Sequence, residues 1–128
     1  NIINTKNANK NYIKKSNIID NIWYLIYRIC MSAYVLVQIN IINEDPYKEY
    51  LKRVTETVIK YKGRYIIRGG KFKVMLGNWD YSRTVAIKFP NYELATEWYN
   101  SKEYAPIKNI RENNSDGNLI IIEGLWTN

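Results

Sequence analysis

Residues 33–41, AYVLVQINI, alternate so regularly that they fix the rest of the reading. Side chains of an extended strand point to opposite faces in turn, so Val35, Val37, Ile39 and Ile41 share one side and Tyr34, Leu36, Gln38 and Asn40 the other. Such a strand must bury its apolar side against a second layer, and the segments that follow supply one. Asp45-Pro46 reads as a helix start, Asp45 at the N-cap and Pro46 in the first helical position, where its missing N–H costs nothing. Tyr47, Tyr50, Leu51, Val54, Val58 and Tyr61 then recur at helical spacing, and Gly63 reads as a left-handed helix terminator. Residues 64–68 (RYIIR) form a second strand stopped by Gly69-Gly70. Residues 71–82 read as an irregular β extension turning at Gly77-Asn78, and 83–89 (RTVAIKF) as a third strand closed by Pro90. Asn91 caps a helix over 92–100, and Ser101 caps a short further helix holding Tyr104, Ile107 and Ile110. Residues 113–118 (NNSDGN) read as a turn and 119–125 (LIIIEGL) as the last strand.

The order β-α-β-β-α-β predicts an α+β fold, the ferredoxin-like sandwich with both helices on one face of an antiparallel sheet. Splitting each strand by its period of two gives one apolar set: Val35, Val37, Ile39, Ile41, Tyr65, Ile67, Val85, Ile87, Phe89, Ile120 and Ile122. This set is assigned to the helix-covered face. The other set includes Tyr34, Leu36, Gln38, Arg64, Ile66, Arg68, Thr84, Ala86, Lys88, Leu119, Ile121 and Glu123, and is too apolar for a solvated face. With no spare element to cover it, a second copy of the chain is the expected partner.

Composition excludes several chemistries. The chain has no histidine and one cysteine, Cys30, which rules out Ser-His-Asp and Cys-His catalysis, histidine-ligated haem, Cys-rich zinc sites and an intrachain disulfide. The net charge of +7 is uneven. Residues 1–30 carry Lys6, Lys10, Lys14, Lys15 and Arg28 against Asp20, a net +4, while 31–128 carry a net +3 with mixed signs. The compact part therefore reads as a solvated surface, and no nucleic-acid partner is expected.

Residues 1–17 are polar and aperiodic, so disorder is expected there. In residues 18–30 the residues Ile18, Ile22, Leu25, Ile26 and Ile29 suit a short amphipathic helix. Asp20 and Arg28 bracket the apolar run and no small-residue cleavage site follows, which opposes a signal peptide. Two readings stay open: an extension outside the native fold, which would begin at Met31, or a membrane-surface helix. The first is preferred, so the domain is placed at 31–126 with 127–128 as a tail, in the cytoplasm and with no membrane partner.

Several spaced motifs resemble a known family. Tyr65-Ile66-Ile67-Arg68-Gly69-Gly70, Gly77-Asn78-Trp79, Ile87-Lys88-Phe89-Pro90, the run from Ala95 to Tyr104 (ATEWYNSKEY) and Gly117 with Glu123-Gly124 look like domain-of-unknown-function family 1330. The resemblance spans residues 31–126. It implies a ferredoxin-like protomer of the dimeric α/β-barrel superfamily, in which two sheets pack face to face. That superfamily includes small monooxygenases, isomerases and haem enzymes, so the resemblance implies a fold and a homodimer but no particular reaction.

Candidate site residues carry two readings each. Arg68 at a strand end is able to grip a carboxylate or enolate bidentately, with Gly69 and Gly70 giving a ligand access to the backbone; alternatively the glycines only turn the chain and Arg68 pairs with a structural acid. Glu123, among apolar residues, suits a general base partnered by Arg68 or Lys88 of either protomer, or else a structural interface ion pair. Gln38 is its weaker companion. Tyr50, Trp79, Trp98, Tyr99 and Tyr104 either line a pocket for a planar ligand or belong to the core. Glu44-Asp45 reads as helix-entry chemistry, and no metal or cofactor is expected. The leading expectation is a homodimer with a small-molecule pocket, a cofactor-free enzyme for proton abstraction, isomerisation or oxygenation of a carbonyl or phenolic compound, with Glu123 as base and Arg68 as anion stabiliser. The other is a non-catalytic ligand-binding or structural dimer.

Overall fold

The alternating strand lies inside the sheet. In a computed structural model, which describes residues 13–126, β1 (Met31–Ile41) is flanked on both sides in a four-stranded sheet. Its partners are β2 (Arg64–Arg68), β3 (Arg83–Phe89) and β4 (Ser115–Trp126), in the order β2-β3-β1-β4 with every pair antiparallel. Helices α2 (Glu44–Lys60), α3 (Tyr92–Tyr99) and α4 (Ala105–Asn114) supply the second layer. The fold is therefore ferredoxin-like α+β, with the second helical connection broken into two helices. Val35, Val54, Val58, Phe89, Trp98 and Tyr104 are buried at its centre.

The chain divides by its internal contacts into two units, 1–30 and 31–128. Helix α1 (Ile13–Cys30) belongs to the first and starts five residues before the expected helix. The disorder expected over 1–17 falls mostly on residues outside those described. Ile18, Trp23 and Leu25 are exposed on α1, and no described helix is long and apolar enough to cross a membrane.

Several local expectations are corrected. Asn43, not Asp45, is the N-cap of α2, and its carbonyl accepts from Tyr47 N at 3.2 Å. Pro46 sits third in the helix, still among the N–H groups that lack an intrahelical acceptor. The left-handed residue after α2 is Lys62, at φ 64°, and not Gly63. Gly63 serves a different need, because a Cβ there would lie 2.7 Å from Phe89 Cε1 and 2.8 Å from Val58 Cγ1. Residues 71–82 join no ladder, although Gly77 does turn with φ 73°. Their far end is tied down instead: Asn40 donates Nδ2 to Asp80 O at 3.0 Å and accepts from Ser82 N at 2.8 Å.

The turn expected at 113–118 is the end of α4 followed directly by β4. Ser115 Oγ donates to Arg111 O at 2.6 Å and Asn114 Nδ2 to Ile110 O at 2.7 Å, so side chains satisfy the last helical carbonyls. Asn91 caps α3 as expected, accepting from Leu94 N at 2.8 Å, and Ser101 Oγ accepts from Tyr104 N at 3.1 Å ahead of α4.

Strand parity holds for β1 and β3 and fails for β4. Val35 pairs with Ile121 and Val37 with Leu119, so Leu119 and Ile121 face the helices, while Ile120 and Ile122 are exposed opposite Leu36 and Tyr34. In β2 a bulge between Tyr65 and Ile67 resets the pairing to Ile67–Ala86 and Arg68–Val85. It turns Ile67 out to the open face and brings Arg68 to the helix-covered one, the reverse of the expectation.

Gly63→Ala should destabilise the fold by about 1–3 kcal/mol through overpacking against Phe89 and Val58. Gly70→Ala, with nothing within 4 Å and no positive φ, should stay within about 0.5 kcal/mol of wild type. Urea unfolding of the two variants checks the contrast.

Candidate functional site

The helices cover the sheet incompletely at one end, and the gap is lined by phenols and guanidinium groups. Helix α2 contributes Tyr47 and Tyr50, β2 contributes Tyr65, and the entry to α4 contributes Tyr104. Arg68 comes from the end of β2, Arg83 from the start of β3 and Arg111 from α4. Trp98, Leu51 and Val85 complete much of the apolar wall, and no carboxylate lines the cavity among the described residues. The enclosed part holds about 20 Å³, room for one water-sized group, and the space reaches about 360 Å³ when its open mouth is counted.

Packing fixes these side chains in place. Trp98 donates Nε1 to Thr57 Oγ1 at 3.0 Å, and Thr57 in turn donates to Val54 O at 2.7 Å. The indole stacks on Tyr104, ring centroids 4.2 Å apart, and on Phe89 at 5.5 Å. The hydroxyls of Tyr50 and Tyr104 lie 3.2 Å apart and share a hydrogen bond across α2 and α4. Arg68 lies over the Tyr65 ring at 4.1 Å and donates Nη2 to Leu51 O at 3.3 Å, so it spans the mouth from the sheet to α2. Gly69, at φ 70°, is required beside it. A Cβ there would come within 2.1 Å of Arg83 Nη1, so this glycine makes room for the Arg83 guanidinium.

The arginines meet mostly neutral groups inside the cavity, and Arg111 has one acid outside its lining. Arg111 is 7% exposed and reaches the half-exposed Glu112 at 3.6 Å. Burial works against its charge, but the phenols of Tyr104, Tyr50 and Tyr99 outweigh that and raise its pKa. Arg83 Nε is shut off from solvent and has no hydrogen-bond partner among the described residues. Burial raises the phenol pKa values in turn. Tyr104 is pushed up to about 12, against the charge of Arg111 and the hydrogen bond with Tyr50. Burial also raises Tyr50, helped by Tyr104, and raises Tyr47 and Tyr65 against the pull of neighbouring arginines. At neutral pH the cavity therefore presents protonated phenols and charged guanidinium groups, which are hydrogen-bond donors suited to a negatively charged oxygen.

The structure scatters the residues singled out in the sequence. Arg68, Trp98 and Tyr104 line the cavity, Gly69 packs at its mouth, and Tyr50 belongs to it. Gly70 and Trp79 line a separate groove of about 780 Å³ between the end of β2 and the loop after it, beside Phe72, Met75 and Leu76. Gln38 and Trp79 meet in a third, shallow depression of about 280 Å³ on the open sheet face. Glu123, on β4, pairs with Ala33 of β1 and interacts with its surroundings, but β4 and β2 are opposite edges of the sheet. Within one chain Glu123 and Arg68 stand three strand spacings apart, about 14 Å, and about 13 Å along the strands. They are not brought together there. The metal-free expectation rests on composition; among the described residues no cluster of three metal-ligating side chains occurs.

Arg83, Arg111 and Tyr47 were not singled out, yet their periods are visible. Arg83 precedes Val85, Ile87 and Phe89 by steps of two, and Arg111 follows Ile107 by one helical turn.

The sandwich defines a ferredoxin-like α+β protein with a small cavity under its helices, walled by apolar groups, phenols and guanidinium groups. The chain belongs to the DUF1330 family, a domain of unknown function, whose model matches residues 32–125. A comparison with curated proteins returns no match. Among solved structures, the chain is similar to RPA0582, a protein of unknown function from Rhodopseudomonas palustris, at 12% identity and a TM-score of 0.63 over 84% of this chain and 92% of that one. The methylated form of RPA0582 gives 14% identity and 0.62 over 81% and 90%. A hypothetical Arabidopsis thaliana protein solved in solution gives 13% and 0.52 over 77% and 88%. At these identities the likeness is one of fold.

If the phenols are held neutral by burial, alkali should act on stability before it acts on the folded site. Unfolded tyrosines ionise near 10.0 and folded Tyr104 near 12, so the stability this burial imposes is fully present below 10.0 and is lost as pH climbs towards 12. Absorbance at 295 nm should show a slow, unfolding-coupled fraction of phenol ionisation. Tyr104→Phe should shrink it.

Proposed function

We propose that the protein is a homodimeric small-molecule-binding protein whose ligand enters the arginine–tyrosine cavity of each protomer, and that the ligand is a carbonyl or phenolic compound. The observation that carries this is a cavity lined by guanidinium groups and protonated phenols with no carboxylate among the described lining residues. Such a lining holds charge on an oxygen and stabilises an enolate or phenolate if one forms. It offers no proton acceptor matched to neutral pH, because arginine stays protonated and the phenols are pushed upward. This favours binding and oxyanion stabilisation over proton abstraction by Glu123 of the same chain.

The dimer reading is supported by the open sheet face. Leu36 is 38% exposed there, Ile67 48%, Ile120 52% and Ile122 47%, on a face that would be polar if water covered it. A second copy packed on this face would bury on the order of 800 Å² per partner. The purified protein should sediment as a dimer at micromolar concentration. Leu36→Asp with Ile120→Asp should yield a folded monomer, and a wild type that sediments as a monomer would remove this part of the proposal.

For the pocket, thermal-shift screening of small phenols and carbonyl compounds should find ligands that raise the melting temperature, by mass action worth about 2.7 kcal/mol at a hundredfold excess over Kd. Tyr50→Phe keeps the ring and removes the hydroxyl. It should weaken such a ligand by about tenfold with the fold retained.

A further inference from the structure

We infer that the cavity is selective for a compact organic carboxylate, one oxygen of which enters beside Arg83 and Arg111 while the second oxygen and the remainder lie in the mouth at Arg68. This rests on the pocket reading above and goes past it in committing to a charged ligand.

Three observations carry it. The first is an imbalance of charge. Three arginines line one cavity and no acid lines it among the described residues. A guanidinium removed from water is strongly disfavoured unless an anion or a full set of acceptors replaces the water. Arg111, nine-tenths buried, meets phenolic oxygens and, outside the cavity lining, pairs with the Glu112 carboxylate at 3.6 Å. Glu112 meets its charge from outside the cavity and the phenols satisfy part of its hydrogen bonding, which leaves no acid of the described residues lining the cavity beside the three arginines.

The second is the orphaned donor. Arg83 Nε is buried and without a hydrogen-bond partner among the described residues, while its Nη1 side is wedged against Gly69. A carboxylate binds guanidinium through two parallel N–H···O bonds, and a free Nε–H beside an Nη–H is one of the edges that geometry uses. The third is convergence. Tyr47 lines the same cavity as Arg68, Arg83 and Arg111, and all three guanidinium groups pull its phenol pKa down against the effect of burial, so they act on one region. That region is small. The enclosed volume of about 20 Å³ takes one water-sized group, so one carboxylate oxygen fits inside and the rest of the ligand stays in the mouth, while a phosphoryl group with its hydration is excluded.

The test titrates the full-length protein by calorimetry with benzoate and acetate, and with their neutral counterparts benzamide and acetamide, at constant ionic strength. Benzoate should bind at least about tenfold tighter than benzamide, since hydrogen bonds to charged groups are the strong ones. Arg83→Gln should bring that ratio close to one. Gly69→Ala should lower it while removing no charge, because the added Cβ displaces the Arg83 guanidinium. Neither substitution touches Arg111, so the test survives if Arg111→Gln fails to fold. Equal binding of benzoate and benzamide, unchanged in Arg83→Gln, would overturn the charge selectivity and leave the small-molecule pocket standing. Binding of none of the four would overturn the carboxylate inference, and failure of the phenol and carbonyl screen as well would overturn the pocket reading itself.

Discussion

The contact on which the interior depends is the stack of Trp98 on Tyr104, locked by the indole hydrogen bond to Thr57. A single side chain thereby joins three elements. Trp98 belongs to α3, Thr57 to α2, and Tyr104 stands at the entry to α4. Once the indole is fixed, the Tyr104 hydroxyl is aimed at Tyr50, and the helices are held at a spacing that leaves a gap over the sheet instead of closing on it. The cavity is a by-product of aromatic packing, since rigid rings joined at their polar ends cannot collapse to fill the space that flexible aliphatic chains would fill. Its polar character follows from the same choice, because every ring but one that reaches it ends in a hydroxyl.

The surface between α2 and α4 is closed by different means at each end. Lys60 and Tyr61 both hydrogen-bond to Glu103, the latter at 3.0 Å, and these bonds hold the Glu103 carboxyl down to about 2. At the other end Asn114 O accepts from Ile42 N at 2.9 Å and from Asn43 N at 3.2 Å, joining the close of α4 to the approach of α2. The cavity therefore opens where Arg68 lies, and the only charged gate described there is one long, exposed side chain resting on Tyr65.

Much of this was legible in the sequence, and the failures have physical causes. Alternation in β1 and β3 was readable because Gln38, Asn40, Thr84 and Lys88 interrupt the apolar run. In β4 the run Leu119-Ile120-Ile121-Ile122 is apolar at every position, so its period carries no information. Register there is set by backbone contact instead: Gly117 lies so close to Gln38 O and Ile39 that no Cβ fits. Arg68 was assigned to the wrong face because a bulge adds one residue that no local pattern announces. Arg83 and Arg111 obeyed their periods yet were overlooked, since a charged residue on an apolar face is easily discounted as an irregularity. Gln38, Gly70, Trp79 and Glu123 lie in elements that were correctly drawn, but which elements border one cavity is a tertiary fact.

The bulge in β2 has a further consequence, for the behaviour of the chain among its copies. β2 is an edge strand, and Ile66 and Ile67 sit on it side by side, both about half exposed. A flat edge with that content is a template on which another extended chain can add, the first step towards fibrillar stacking. The extra residue breaks the even spacing of amide and carbonyl groups along the edge and twists the strand. An incoming strand would then meet its donors and acceptors out of step. The same irregularity that carries a guanidinium under the helices thus makes an isoleucine-rich margin a poorer template for another strand.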